Sequence, residues 1–299
     1  MSTQLIMMEN IDKGFPGVQA LSQAQFDLNA GEVHALVGEN GAGKSTLMKI
    51  LTGIYTADSG TITCKGQRVE IRSPRAAQNL GISMIHQELN LMPDLTVAHN
   101  VFIGREPRTS FPLLLHEKKI NQQTADLLST LHLNIDPRVK ISKLSVAKQQ
   151  MVEITKALSY QSDVLIMDEP TAALTNTEIQ ELFAMIRRLR EQGVGIVYIS
   201  HRMEELKQIS DRITVMRDGH YIDTANTQKI EIDEIIRMMV GRTIYESSPE
   251  IPEKLNQDTI LEVRNLNAGN TLKNVNFSLK QGEILGFAGL MGAGRTEVA

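Results

Sequence analysis

The stretch Gly38–Thr46 constrains this chain more than any other. It reads Gly-Glu-Asn-Gly-Ala-Gly-Lys-Ser-Thr, which fits the phosphate-loop pattern of two glycines five positions apart followed by Lys and Ser. Such a loop turns successive backbone N–H groups toward a phosphate, while Lys adds a positive charge and Ser can ligate Mg²⁺. The predicted nucleotide-binding residues are therefore Gly38, Glu39, Asn40, Gly41, Ala42, Gly43, Lys44, Ser45 and Thr46.

The residues on either side of this loop supply the context that the pattern needs. Val33–Val37 is an apolar run typical of a buried parallel strand, and a helix is predicted from about Lys44 to Leu51. The order strand, loop, helix directs the positive end of the helix at a phosphate. A glycine-rich surface turn is the alternative, and this order disfavours it.

A pair of carboxylates forms the second chemical centre. Asp168 and Glu169 follow the apolar run 164–167 directly. In open parallel sheets ligands collect at the carboxyl ends of the strands, so these two side chains are expected beside the phosphate loop. A bound cation would be their natural partner, because a buried carboxylate without one is costly. The alternative is an acidic turn at the end of a strand.

His201 and Phe15 are the remaining candidates. His201 follows a further apolar run, 196–199, and is expected at the same sheet edge, whereas the other six histidines receive no role. Phe15 lies on a predicted turn, 13–17, among short strands in residues 5–37, where its ring can stack on a nucleotide base or pack as a core residue. Thr175 and Glu178 form a capping box that predicts the start of a helix.

The composition excludes several classes of protein. The chain has 299 residues, of which 41% are apolar and 22% charged, with a net charge of −4, as expected of a globular protein. The absence of a dense Lys/Arg block argues against a nucleic-acid partner. No apolar run reaches the length of a membrane span, and the first residues lack the plan of a signal peptide. The single cysteine, Cys64, fits a reducing compartment, and the cytosol is expected.

The chain also repeats itself. Leu272–Thr296 matches the stretch that begins at Leu21, at a constant offset of 251 residues, so that Arg295 stands where the first copy has Lys44. The preceding residues 244–259, with Pro249 and Pro252, are predicted to form a linker. Because the sequence stops soon after the second loop, we expect a second domain truncated near its start.

With these motifs the chain resembles the ATP-binding subunits of ABC transporters, most of all the duplicated ATPases of bacterial sugar importers of the ribose, xylose and galactoside type. The resemblance spans the whole chain and adds Gln87 and the segment Leu144–Gln149, which contains Ser145, to the loop, carboxylate and histidine motifs. The segment Val197–Met203 and the tandem layout point to the sugar branch.

The fold that the resemblance implies is an α/β P-loop NTPase with a RecA-like parallel sheet core, an N-terminal antiparallel β subdomain and an inserted α-helical subdomain. Residues 1–243 would form a first nucleotide-binding domain, with the helical subdomain at about 88–160. Residues 244–259 would be the linker, and residues 260–299 the start of the truncated second domain.

The resemblance also implies a site that binds ATP and Mg²⁺. Catalysis would fall to Lys44, Glu169 and His201, and the Mg²⁺ ligands would be Ser45, Gln87 and Asp168. Phe15 would stack on the base, and Ser145 would contact the nucleotide of another ATP-binding half. Val146 and Ala147 stand where the family usually has glycines, and Arg295 replaces the lysine in the second loop, so we expect two unequal ATP sites.

The partners implied are membrane permease subunits, a second ATP-binding half or an identical copy, and indirectly a periplasmic sugar-binding protein. The chain would sit peripherally at the cytoplasmic face of the inner membrane. A tandem ABC ATPase acting on ribosomes is the main alternative, but the short acidic linker disfavours it. A DNA-repair ATPase would need hundreds of coiled-coil residues between the loop and the carboxylates, and only about 120 are present.

Overall fold

The computed structural model describes residues 3–86, 89–109, 114–172, 174–241, 258–269, 271–289 and 293–299. The chain forms two compact units, Met1–Thr243 and Ile244–Ala299. The strands are β1 (Gln4–Phe15), β2 (Val18–Asn29), β3 (Val33–Val37), β4 (Ser59–Cys64), β5 (Gln67–Val69), β6 (Ile82–Ile85), β7 (Val164–Asp168), β8 (Gly195–Ile199), β9 (Arg212–Arg217), β10 (His220–Asn226), β11 (Thr259–Ala268) and β12 (Leu272–Lys280). The helices are α1 (Lys44–Leu51), α2 (Pro74–Asn79), α3 (Val97–Val101), α4 (Glu117–Thr130), α5 (Val146–Leu158), α6 (Asn176–Glu191), α7 (Met203–Ile209), α8 (Ile232–Val240) and α9 (Arg295–Val298), with a 3₁₀ turn at Ile141–Lys143.

A six-stranded sheet forms the centre of the first unit. Its order is β10-β9-β3-β8-β7-β6, and every pair from β9 to β6 is parallel, with β10 antiparallel at one edge. All five residues of β3 are buried, as a strand with layers on both faces requires. The predicted α/β fold with a parallel sheet core is confirmed.

A four-stranded antiparallel sheet, in the order β2-β1-β4-β5, precedes the phosphate loop along the chain. The prediction of short strands here, with a turn at 13–17, was wrong. β1 and β2 each run for 12 residues and turn only at Pro16-Gly17, so Phe15 ends a strand. The strands continue because Asn10 and Gln23, with φ of 53° and 48°, lie at irregularities in the β1–β2 ladder, where a bulge bends a strand without ending it.

Between β6 and β7 the chain leaves the sheet and forms α3, α4, the 3₁₀ turn and α5. This region has an apolar cluster of its own, made of Val97, Val101, Leu128, Ile141 and Val152. It is the inserted helical region of the predicted fold. Among the described residues, no helix combines the length and the apolar character needed to cross a bilayer.

The capping box predicted at Thr175 is confirmed, and a glycine cap ends a later helix. Thr175 precedes α6, where its side chain and that of Glu178 cap each other's backbone N–H groups. Gly241 ends α8 in the left-handed region, with φ of 75°.

The second unit contains the antiparallel pair β11–β12 and the short helix α9. Its residues 283–289 form no strand, although they correspond in sequence to the first copy around β3. Ile284 is 98% exposed, whereas its counterpart Val33 is fully buried. The described part of this unit thus leaves apolar side chains in contact with water.

A buried histidine lies beside the central sheet in the first unit. The ring of His34 on β3 packs on Phe26 with centroids 4.6 Å apart, and its Nε2 lies 2.7 Å from the Thr214 hydroxyl. Burial, and after it the charge of Arg212, lowers the pKa of His34 to about 4. At neutral pH this imidazole is therefore uncharged.

This histidine makes stability depend on pH. Between pH 6.5, its ordinary pKa, and about 4, the unfolded chain binds a proton that the folded chain does not, so acid favours unfolding. We expect the free energy of unfolding to fall by roughly 2 kcal/mol from pH 7 to pH 5 through this group alone. Urea unfolding of the chain and of His34→Gln at both pH values checks this. An equal fall in the two proteins would contradict it.

Candidate functional site

The phosphate loop lies tightly against the neighbouring backbone, and this explains two of its glycines. A Cβ added at Gly38 would stand 2.3 Å from the Met216 carbonyl oxygen on β9. One added at Gly43 would stand 2.6 Å from a Leu21 methyl carbon and 2.8 Å from the Ala20 carbonyl oxygen. At these two positions the loop lies so close to β2 and β9 that any residue larger than glycine would collide with their atoms.

Helix α1 starts directly from this loop. Gly43 occupies its N-cap position with φ of 95°, without a side-chain cap and without an acidic residue in the first turn. The first N–H groups of the helix therefore lack side-chain acceptors, which suits an anion. The Lys44 ammonium donates hydrogen bonds to the carbonyl oxygens of Gly38, at 2.8 Å, and Glu39, at 3.0 Å.

The carboxylate pair lies across from the loop, at the end of β7. The Ser45 hydroxyl donates to Asp168 Oδ2 at 3.4 Å. Burial, and then the charge of Glu169, raises the pKa of Asp168, while the bond from Ser45 and the positive charges of Lys44 and His86 oppose the rise. Burial also lowers the pKa of Lys44, against the attraction of both carboxylates. Opposite charges are thus held together in a partly desolvated place.

Glu169 has an unusual backbone conformation. Its φ is 47°, a left-handed value that is rare outside glycine and that recurs at functional sites. Its N–H donates to the Ile199 carbonyl oxygen on β8 at 2.9 Å. This bond ties the end of β7 to the end of the neighbouring strand.

His201 meets Glu169 at this edge. Its Nδ1 lies 2.9 Å from Glu169 Oε1, and 70% of its side chain is exposed, against 24% for Glu169. The imidazole is therefore the more exposed partner of this contact. A histidine and a carboxylate in contact form a pair that can accept and orient a proton donor.

One cleft of about 230 Å³ brings most of these residues together. It is lined by Ala20, Asn40, Gly41, Gly43, Lys44, Ser45, Thr46, Asp168, Glu169 and Ile199. Of the other predicted loop residues, Gly38 and Glu39 accept the lysine hydrogen bonds, and Ala42 is buried.

Besides those loop residues, three described site residues do not line this cleft: Phe15, Ser145 and His201, which contacts Glu169 at its edge. The Phe15 ring packs edge-on against Tyr55, with centroids 5.2 Å apart, near the tip of the β1–β2 hairpin. Ser145 caps α5 by accepting the N–H of Lys148 at 3.4 Å, and it lines a different cleft beside α6. Gln87 lies outside the described residues.

Sequence reasoning missed three contributors. Ala20 and Ile199 line the cleft, and His86, directly after β6, lowers the pKa of Asp168. Ile199 ends β8 and His86 follows the last residue of β6, so the rule that placed His201 at this edge could have found them. Nothing in the local sequence marks Ala20, because the close approach of β2 to the loop brings it there.

The donor set fits a magnesium nucleotide. Ser45 and Asp168 place two oxygen atoms on adjacent elements beside a loop built for phosphate. Mg²⁺ needs few protein ligands because it keeps waters and phosphate oxygens in its shell. Among the described residues, no group of three or more His, Cys, Asp or Glu side chains is placed to hold a metal ion.

Comparison with known proteins places this geometry in a family. The family model described as "ABC transporter" matches residues 21–172. The "Putative ribose/galactose/methyl galactoside import ATP-binding protein 2" of Burkholderia cenocepacia (strain HI2424) is 59% identical over 295 residues, covering 99% of this chain and 58% of that protein. The "Putative ribose/galactose/methyl galactoside import ATP-binding protein" of Albidiferax ferrireducens is 58% identical over 297 residues, and the match covers 59% of that protein.

The solved structures agree on the fold. A nucleotide-free ATP-binding cassette from an ABC transporter superposes with a TM-score of 0.69 at 25% identity, covering 80% of this chain and 96% of that one. The chain spans somewhat more than half the length of the curated relatives it matches.

The close approach at Gly43 predicts a large stability cost. Gly43→Ala and Gly17→Ala both place a side chain at positive φ, 95° and 83°, but only the first meets neighbouring atoms within 4 Å. We expect about 1 kcal/mol of destabilisation for Gly17→Ala. Gly43→Ala should exceed that by a further ~1–3 kcal/mol, because the new methyl group overpacks the site. Urea unfolding of both variants measures the difference, and equal costs would contradict the packing described.

Proposed function

The chain belongs to the ABC transporter family, and from that membership we propose that it binds MgATP and hydrolyses it as the energising subunit of a sugar importer. The observation that carries the proposal is the single cleft in which the phosphate loop, the end of β7 and the end of β8 meet. Its charges suit a triphosphate with a cation and an attacking water.

The binding half of the proposal rests on the loop and α1. The N–H groups at the start of the helix and the Lys44 ammonium would hold the phosphate oxygens. Ser45 and Asp168 would ligate Mg²⁺, with Gln87 as the third predicted ligand. The ion would offset negative charge on the transferring phosphoryl group.

The catalytic half rests on Glu169 and His201. Glu169 would orient the attacking water and accept its proton at a carboxylate oxygen. His201, which contacts Glu169 Oε1 through Nδ1, would hold that carboxylate in place and reach the terminal phosphate. Lys44 would stabilise the charge that develops as the phosphoryl group transfers.

The residues outside the cleft have proposed roles that need a larger assembly. Phe15 would stack on the base. Ser145, exposed at the start of α5, would contact the nucleotide of a second ATP-binding half or of an identical copy. Two halves that close on ATP and separate after hydrolysis make a two-state element that can move a membrane partner.

The names of the relatives suggest the cargo and the partners. Both relatives are named for the import of ribose, galactose or methyl galactoside, so we propose a monosaccharide of this class as the cargo. The partners would be permease subunits that dock near residues 87–104, and indirectly a periplasmic sugar-binding protein. The chain would lie peripherally at the cytoplasmic face of the inner membrane.

We propose the following domain organisation. Residues 1–243 form the first nucleotide-binding domain, with its helical subdomain at about 88–160. Residues 244–259 are a linker, and 260–299 are the start of a second nucleotide-binding domain.

Replacing the proposed general base separates binding from hydrolysis. In the assembled transporter, Glu169→Gln should lower the rate of phosphate release about 100-fold or more, because an amide cannot accept the proton of water. MgATP affinity, measured by equilibrium dialysis, should change by less than about threefold, because the loop and Lys44 are intact. Glu70→Gln is the control, since Glu70 is exposed and pairs only with Arg72 among the contacts described. Full ATPase activity in Glu169→Gln would refute the assigned role.

The cellular partner separates the importer from the ribosome-linked alternative. A tagged chain expressed in its host should sediment with the membranes and co-purify in detergent with a permease. Sedimentation with ribosomes, and recovery of ribosomal RNA in place of a membrane protein, would contradict the importer. Lys44→Ala is the comparison variant. It should co-purify with the permease as the parent does, because we expect docking not to depend on phosphate bound at the loop.

A further inference from the structure

A buried carboxylate on α7 has no part in the cleft described above. Glu205 is 7% exposed and lies in the first turn of the helix. Its Oε2 accepts hydrogen bonds from the hydroxyls of Thr171, at 2.8 Å, Tyr198, at 3.0 Å, and Ser200, at 3.4 Å. Its Oε1 accepts one from Arg202 at 2.5 Å. A buried carboxylate with four donors is an organised site rather than a chance burial.

The donors come from two segments that also carry the proposed catalytic pair. Thr171 follows Glu169 by two residues, and it is only 2% exposed. Ser200 and Arg202 flank His201 on either side, and the Arg202 N–H donates to the Ser200 hydroxyl at 3.1 Å. Glu205 therefore touches both segments at once.

Backbone pairing alone does not hold these segments together. The β7–β8 ladder ends at the pair Asp168 and Ile199, and the Glu169 N–H adds one further bond to the Ile199 carbonyl. Beyond this point one segment continues to α6 and the other to α7. Tyr198 anchors the cluster from within the sheet, where burial, and then Glu205, raises the pKa of its hydroxyl and keeps it a donor.

We propose that Glu205 is a positioning residue, which ties the segment after Glu169 to the segment around His201 and so sets the 2.9 Å contact between those two side chains. Its effect on the reaction rate rests on the proposed function. Its effect on the two segments does not, because the hydrogen bonds belong to the protein itself.

The test compares Glu205→Gln with a matched control. Glu32 is also 7% exposed and also pairs with an arginine, Arg212, but it lies ahead of β3, at the opposite end of the strand from the phosphate loop. In the assembled transporter, Glu205→Gln should lower kcat for ATP hydrolysis at least tenfold and change MgATP affinity less than about threefold. Glu32→Gln should leave both within about threefold of the parent. Parallel losses of kcat and affinity, or an unchanged kcat in Glu205→Gln, would overturn the proposal.

Hydrogen exchange tests the same point without hydrolysis. In the 299-residue chain, Glu205→Gln should speed amide exchange in peptides that contain Glu169 or His201, and leave the β1–β2 hairpin unchanged. Faster exchange throughout the first unit, or in neither peptide, would overturn it.

If Glu205→Gln does not fold, Thr171→Val, which removes one donor at similar volume, should speed exchange in the Glu169 peptide. A parent protein that shows no ATPase activity would refute the proposed function, while the exchange data would still decide the role of Glu205.

Discussion

The parallel pairing of β7 with β8 is the constraint on which the site depends. The ladder places Asp168 opposite Ile199, so that Glu169 and His201 leave the sheet side by side. β3 pairs with the other side of β8 and brings the phosphate loop to the same edge. A shift of one residue in either ladder would turn the side chains to the opposite face and separate the loop from the carboxylates. The charges of the cleft therefore lie close together only because the strands pair in this register.

The sequence predicted the parts of the site that are encoded locally. The glycine pattern located the loop and the start of α1, the apolar runs located β3, β7 and β8, and the capping box located α6. Because parallel strands end at one edge, the same runs also indicated that Lys44, Glu169 and His201 would lie near one another. The structure shows where these side chains lie. Their catalytic roles stay predictions.

What the sequence did not predict depends on contacts between distant segments. The length of β1 and β2 follows from bulges at Asn10 and Gln23, which no periodicity reveals. The environment of Glu205 joins residues that lie up to 34 positions apart, so no local pattern in the sequence indicates it. The two copies of the repeat make the same point. Val33 and Ile284 occupy equivalent places in sequence, yet only the first has β8 and β9 beside its strand.

The hydrogen bonds of Lys44 have a consequence for how tightly a ligand can be held. Its ammonium already donates to two peptide oxygens of its own loop. An incoming anion must compete with those oxygens, so the lysine contributes to affinity only the difference between its hydrogen bonds to the anion and those to its own loop. These bonds also hold the loop in its curled shape, so that no flexible segment has to become ordered when a ligand binds. The loop is therefore preorganised for an anion by contacts among its own residues.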